Sequence, residues 1–315
     1  METRRLVLLM IFSLSLIMLW DNYQASIGKP TLFGLSTGAQ TSDKGDGTKA
    51  GGSSAGSGAA NDLPQAVAPT AGDVPADPNA IASGTAEAAP AAQTITVKTD
   101  VLELQFSSQG AQLITSKLLN HPAAENPELP VQLFEQTANR TYVGQAGLVG
   151  VPDAPNHRTL FELVSGSTEF APGQDQLKLV FKATSGGVEN TTTYTIFKNR
   201  YDIDLVINAR NAGAEPVSPS AYVQITRDGN PLESDSSLYA TFTGPAVYTP
   251  EKKYQKIDFE DIADRSADYV KTADSGWLAM IQHYFVSAII GQDGPRENYT
   301  RQVDSNLYSI GLVSS

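Results

Sequence analysis

From Thr94 onward the chain alternates apolar and polar residues with a period of two. Ile95 and Val97, then Leu102, Leu104 and Phe106, fall on one face, with Glu103 and Gln105 between them. Successive side chains of a strand point to opposite faces, so this alternation predicts half-buried β-strands. Further β-rich runs cover 159–164, 177–183, 188–197, 201–209 and 221–226. Turn-forming residues separate them: Gly110, Pro172-Gly173, Ser185-Gly186-Gly187, Lys198-Asn199-Arg200 and Asp228-Gly229-Asn230-Pro231. Many short strands with few helical periods predict a mainly β domain, a large antiparallel β-sandwich. The run GWLAMIQHYFVSAII, 276–290, is the most apolar outside the first twenty residues. Its aromatic and β-branched content, with a Gly-rich turn beyond it, predicts a central strand buried on both faces; a buried helix fits the apolar content nearly as well. On the strand reading, Trp277 is largely buried and His283 is a hydrogen-bonded core histidine.

Ahead of this block the pattern differs. Arg4 and Arg5 precede an uncharged run from Leu6 to Trp20, and Asp21 closes it. Fifteen helical residues span about 22 Å, so the flanks must sit in the interfaces of a hydrocarbon core roughly 30 Å thick. Trp20 and Tyr23 suit that boundary, and Arg4 and Arg5 keep the short side in the cytoplasm. No Ala-x-Ala site follows Trp20, which favours an uncleaved signal anchor over a cleaved signal peptide. From Gly34 to Gln93 there is no aromatic residue, and Ala, Gly, Ser, Thr, Pro and Asp dominate. Such a segment buries too little apolar surface to offset its ordering entropy, which predicts a disordered tether without a functional motif. The predicted organisation is therefore 1–24 cytoplasmic tip and transmembrane anchor, 25–93 linker, and 94–315 sandwich.

Composition narrows the function classes. The formal charge of −12 argues against a nucleic-acid partner, which would need a basic surface to release counterions. With no Cys, disulfides, thiolate catalysis and Cys-ligated metals are excluded. The three histidines, His121, His157 and His283, lack metal-ligand spacing, and the first and second read as loop residues near Pro122 and Pro155. No nucleophile elbow, Walker loop or dinucleotide fingerprint is present. The acidic cluster Asp258, Glu260, Asp261 and Asp264 lacks the Gly and closing Glu of a calcium loop and reads as a solvated face. No catalytic residue, cofactor site or metal site is predicted.

Several segments, in order and spacing, carry a resemblance: RRLVLLMIFSLSLIMLWDNYQ, VKTDVLELQFSSQGAQLITSKLL (97–119), NRYDIDLVINARN (199–211), GPAVYTPEKKYQKIDFEDIAD (244–264) and GWLAMIQHYFVSAII. Together they resemble the N-terminal part of the bacterial membrane-protein insertases of the YidC family, Gram-negative type. The resemblance implies an inner-membrane protein with its N-terminus cytoplasmic and its bulk periplasmic. It implies a large periplasmic domain similar to the galactose-mutarotase supersandwich, and partners among Sec translocon subunits and nascent membrane proteins. The family continues into the end of this domain and five more membrane helices carrying a hydrophilic groove, so the chain reads as a fragment whose sandwich is C-terminally truncated. Two function classes follow: a non-enzymatic anchor and periplasmic module of an insertase, or a mutarotase-like sugar-binding or sugar-epimerising domain. The second needs a general acid and base about a sugar ring, and the histidines show no convincing partner for that role.

Overall fold

The computed structural model describes residues 63–64, 91–124, 126–231 and 241–314. The predicted membrane segment, with Arg4, Arg5, Trp20 and Tyr23, lies outside the described residues, as does most of the predicted linker. Among the described residues no helix is long and apolar enough to cross a membrane.

Eighteen strands are described, all paired antiparallel, in three sheets. The large sheet runs in the order β1 (Thr94–Lys98), β2 (Leu102–Ser107), β3 (Gln112–Pro122), β6 (Thr141–Val149), β11 (Ser220–Asp228), β18 (Leu307–Ser314), β17 (Arg296–Asp304) and β14 (Thr272–Ala273), with β4 (Pro130–Gln132) on β3 and β5 (Glu135–Gln136) on β6. A second sheet orders β10 (Ile203–Asn211), β9 (Val188–Phe197), β8 (Gln176–Ser185) and β7 (Glu162–Gly166). The third orders β13 (Lys253–Lys256), β12 (Thr243–Thr249), β15 (Trp277–Gln282) and β16 (Phe285–Ile290). One short helix, α1 (Phe259–Ala263), follows β13.

The period-two pattern lands as the residues dictate. In β1 the residues Ile95 and Val97 are buried between exposed neighbours, and in β2 Leu102, Leu104 and Phe106 are buried. Leu177, Leu179 and Phe181 of β8 and Tyr194 and Ile196 of β9 join the same core, as do Val247, Leu278 and Met280 of the third sheet. One face of the large sheet therefore packs on both smaller sheets. Phe106 lies 4.8 Å from Tyr194 and 6.4 Å from Phe181, centroid to centroid, and the Tyr194 hydroxyl donates to the Ala111 carbonyl at 2.7 Å. An aromatic cluster with its polar tip satisfied fixes how the two sheets seat.

The run 276–290 is corrected: it is a hairpin, β15 and β16, turning at His283-Tyr284. His283 adopts φ 57, a left-handed conformation that the sequence does not flag with Gly or Asn. It is half-buried, and its Nδ1 lies 2.9 Å from the Thr241 hydroxyl. Only β15 is buried on both faces. β16 is an edge strand, and Tyr284, Val286 and Ile290 are 85%, 52% and 79% exposed. Trp277 is also only half-buried, stacked on its cross-strand partner Tyr248 with centroids 5.6 Å apart. Trp277→Ala should accordingly cost about 1–2 kcal/mol, the range of a stacked pair plus partial burial, not that of a core truncation. Urea unfolding followed by circular dichroism would measure it, and a loss above about 3 kcal/mol would mark Trp277 as core after all.

Candidate partner-binding face

The other face of the large sheet is polar. In β11, Ile225 enters the core while Tyr222, Gln224 and Thr226 point the opposite way. Across the neighbouring strands these residues build one continuous hydrogen-bond row. Gln145 of β6 donates to Gln112 of β3 at 2.9 Å, and Gln224 donates to Gln145 at 2.7 Å. Thr226 donates to Gln145 at 2.8 Å and lies 2.7 Å from Ser309 of β18, while Tyr299 of β17 donates to Gln224 at 2.7 Å. Buried amides and hydroxyls satisfied in this way stiffen a sheet face, whereas a single missing member would leave a partner unpaired.

Two glycines make room for the row. Gly311 is paired with Tyr299, and a Cβ there would stand 2.5 Å from the Tyr299 hydroxyl and 2.6 Å from the Val223 carbonyl. Gly147, paired with Tyr222, would place a Cβ 3.0 Å from the Tyr222 hydroxyl and 2.6 Å from Asn156 Cα. Each tyrosine thus lies across a strand position that has no side chain. Isolated glycines inside strand patterns signal such close approach, and GQAGLVG and SIGLVSS are where the sequence carries that signal.

Beneath Tyr222 sits His157. The loop placement read from sequence holds for the backbone but misses its burial: the residue is 3% exposed. The His157 backbone N–H donates to the Tyr222 hydroxyl at 3.1 Å, and its Nδ1 lies 2.5 Å from the same oxygen. Gln112 donates to the His157 carbonyl at 2.8 Å. Burial, aided by the Arg301 charge, pushes the imidazole down to about 4, while burial raises the Tyr222 and Tyr299 hydroxyls well above the usual phenol range. Tyr222 stays protonated and the imidazole neutral, so the hydroxyl and Nδ1 share one hydrogen bond whose donor is set by the ring tautomer.

Beside β17 lies a cavity of about 740 Å³ lined by Ile262 and Ala263 of α1, Tyr269, Thr300 and others. Tyr269 holds its wall in place by accepting the Thr300 backbone N–H at 2.8 Å. Three cations, Arg265, Lys271 and Arg301, line it, and among the described residues no carboxylate does. Leu63 and Pro64 also line it; the Arg301 guanidinium donates to the Leu63 carbonyl, and Leu63 packs on the cluster of Val149, Tyr222, Val313 and Tyr299.

Other residues singled out by sequence lie elsewhere. His121 is corrected from loop to the exposed end of β3, its Nε2 3.3 Å from the Tyr201 hydroxyl. Asp258, Glu260, Asp261 and Asp264 are exposed on and around α1. Arg4, Arg5, Trp20 and Tyr23 fall outside the described residues. Tyr222, Gln224, Tyr299 and Arg301, the residues that build the face, were not read from sequence.

A family model described as the YidC periplasmic domain matches residues 94–315. The chain belongs to the YidC periplasmic-domain family. Its similarity to curated YidC proteins runs over the whole chain: 44% identity to the membrane protein insertase YidC of Bordetella petrii, covering 100% of this chain and 55% of that protein. It is 40% identical to the YidC of Cupriavidus metallidurans, covering 99% of this chain and 54% of the relative. The chain thus spans about half the length of the YidC relatives it matches. Among solved structures, a galactose mutarotase related enzyme from Lactobacillus acidophilus aligns with TM-score 0.41 and 8% identity over 70% of this chain and 85% of that one. A putative aldose 1-epimerase from Escherichia coli K12 aligns with TM-score 0.39 and 12% identity over 71% and 88%. Those two likenesses are too loose to carry a functional argument.

Proposed function

We propose that this chain is the anchor and periplasmic module of a membrane-protein insertase, working beside Sec translocon subunits and nascent membrane proteins in the bacterial inner membrane, without chemistry of its own. The observation that carries the reading is the family match from Thr94 to Ser315, supported by relatives named membrane protein insertase YidC along the full chain. A supersandwich of the galactose-mutarotase type is the finer fold that goes with it. In this reading residues 6–22 form an uncleaved helix, with Arg4 and Arg5 cytoplasmic and Trp20 and Tyr23 at the interfaces. The polar face, whose members are buried or half-buried, stiffens the large sheet, while the exposed β16 edge serves as a contact surface, since an edge strand with apolar side chains is open to further pairing. A sugar-converting role gains nothing from His157, which is buried and engaged by Tyr222.

The chain alone is expected not to insert proteins. A translocating polar segment needs a polar path inside the bilayer, and the span from Leu6 to Trp20 offers only Ser13 and Ser15. Reconstitution of the 315-residue chain in liposomes with a single-span substrate should give insertion no higher than protein-free liposomes, together with crosslinks to translocon subunits when these are added. Insertion above background would overturn the proposal, and so would a mature N-terminus near Ala25–Lys29, which would remove the anchor.

A further inference from the structure

We propose that the apolar seat beside β17, at the wall of the cation-lined cavity, is a docking site for a Leu-Pro peptide segment, and that Leu63-Pro64 of this chain occupies it as a latch. The inference stands apart from the insertase reading, because it rests on the packing of Leu63-Pro64 against the large sheet and on the cavity beside it.

Leu63 precedes Thr94 by 31 residues, within a stretch that sequence reads as featureless linker. Leu35, Leu63 and Ile81 are the only Leu or Ile residues between Gly34 and Gln93, so a Leu that finds an apolar seat there is an uncommon feature of the stretch. Its seat has three parts. The side chain packs on Val149, Tyr222, Val313 and Tyr299, the main-chain carbonyl accepts from Arg301, and Pro64 is buried beside it. The dipeptide suits such a seat chemically. Proline brings no backbone N–H that burial would leave unsatisfied, and it biases the residue before it toward the extended form. The first lowers the desolvation cost of docking and the second the entropy lost.

With Leu63 and Pro64 in its wall the cavity still holds about 740 Å³, and its charge indicates what the flanking residues of a docked segment should carry. Arg265, Lys271 and Arg301 line it in a chain whose net charge is −12, and among the described residues no acidic side chain is in the lining. A concave site with three cations selects segments bearing a carboxylate next to the apolar anchor. The residue before Leu63 in the sequence is Asp62, so the chain's own segment meets that rule. Docking also changes the linkage ahead of the domain. The chain between the predicted anchor and its first attachment shortens from 69 residues (25–93) to 38 (25–62). For a coil, whose reach grows as the square root of length, that is a reduction of about a quarter.

The full chain tests this directly. Leu63→Asp changes only a residue outside the strands, so it leaves the sandwich intact, whereas Arg301→Gln removes the donor from the β17 side. Both variants should be cut between residues 61 and 66 by a broad-specificity protease about tenfold faster than wild type, with cleavage around residues 40–50 unchanged as the internal control. A fluorescent peptide copying residues 57–70 should bind the Leu63→Asp chain about tenfold more tightly than wild type, whose site is occupied, and should weaken with added salt. The same peptide carrying Leu63→Asp should not bind. Equal cleavage of wild type and Leu63→Asp, or a peptide that binds both chains equally or neither, would overturn the latch.

Discussion

Replacing Gly276 with Ala is expected to destabilise the domain by at least about 3 kcal/mol. Gly276 sits at φ +115, which L-residues rarely adopt, immediately before β15. A Cβ there would stand 2.0 Å from the Tyr248 carbonyl oxygen and 3.1 Å from its carbon. That carbonyl belongs to β12, where Tyr248 pairs with Trp277, so it cannot swing aside without breaking the β12–β15 register. Backbone strain and a backbone clash therefore act together, and neither has a flexible side chain to absorb it. Gly173 provides the control: it also has a positive φ, +77, but nothing lies within 4 Å of its would-be Cβ. Gly173→Ala should lose only the conformational strain, about 1–2 kcal/mol. Urea unfolding of the two variants side by side checks the argument, and equal losses would refute the clash.

Acid should weaken the domain through His157. Its ring is held near 4 in the fold and stands near the ordinary 6.5 when unfolded. Between these values the unfolded chain binds a proton that the folded chain refuses. Stability supplied by the neutral imidazole is thus fully present above pH 6.5, falls as pH drops toward 4, and is flat below that. The loss over this window is on the order of 3 kcal/mol for one group. The cause is local. Protonation leaves both ring nitrogens carrying a hydrogen and places a cation in a buried site that also feels Arg158 and Arg301. His157→Gln removes the titrating group, so its unfolding free energy should change far less between pH 7 and pH 4 than that of wild type. Parallel pH profiles for the two proteins would remove His157 as the source.

Local alternation carried most of the fold. The run 188–197 predicted from Thr, Tyr and Ile content is β9 residue for residue, because two flanking strands and the core reward the pleat the sequence writes. The hairpin within 276–290 was invisible for the opposite reason: its turn is His-Tyr, and the energy that holds His283 at φ 57 comes from pairing of β15 with β16 and from Thr241, not from a turn-forming residue. The polar face was hidden because its members are distant in sequence. Gln112, Gln145, Gln224, Tyr299 and Ser309 each look like an ordinary outward residue until five strands bring them into one row. Leu63-Pro64 was missed because composition averages over a stretch, whereas a dock needs only two residues.

The edge position of β1 decides how the domain bears tension. The chain enters at Thr94, which pairs with Ser107, and the neighbouring Gln93 carbonyl accepts the Ser108 N–H at 2.8 Å. Among the described residues no strand lies on its outer side and β1 pairs only with β2, so a pull on the chain ahead of it loads these pairs in succession, from Thr94↔Ser107 toward Lys98↔Glu103, rather than all at once. Such peeling offers little resistance per step, and β1 would be shed while the aromatic cluster behind it still held. With Leu63 seated at Arg301, the same pull is borne first by β17, a strand flanked by β18 and β14, and the weakest joint of the domain carries no load until the latch has opened.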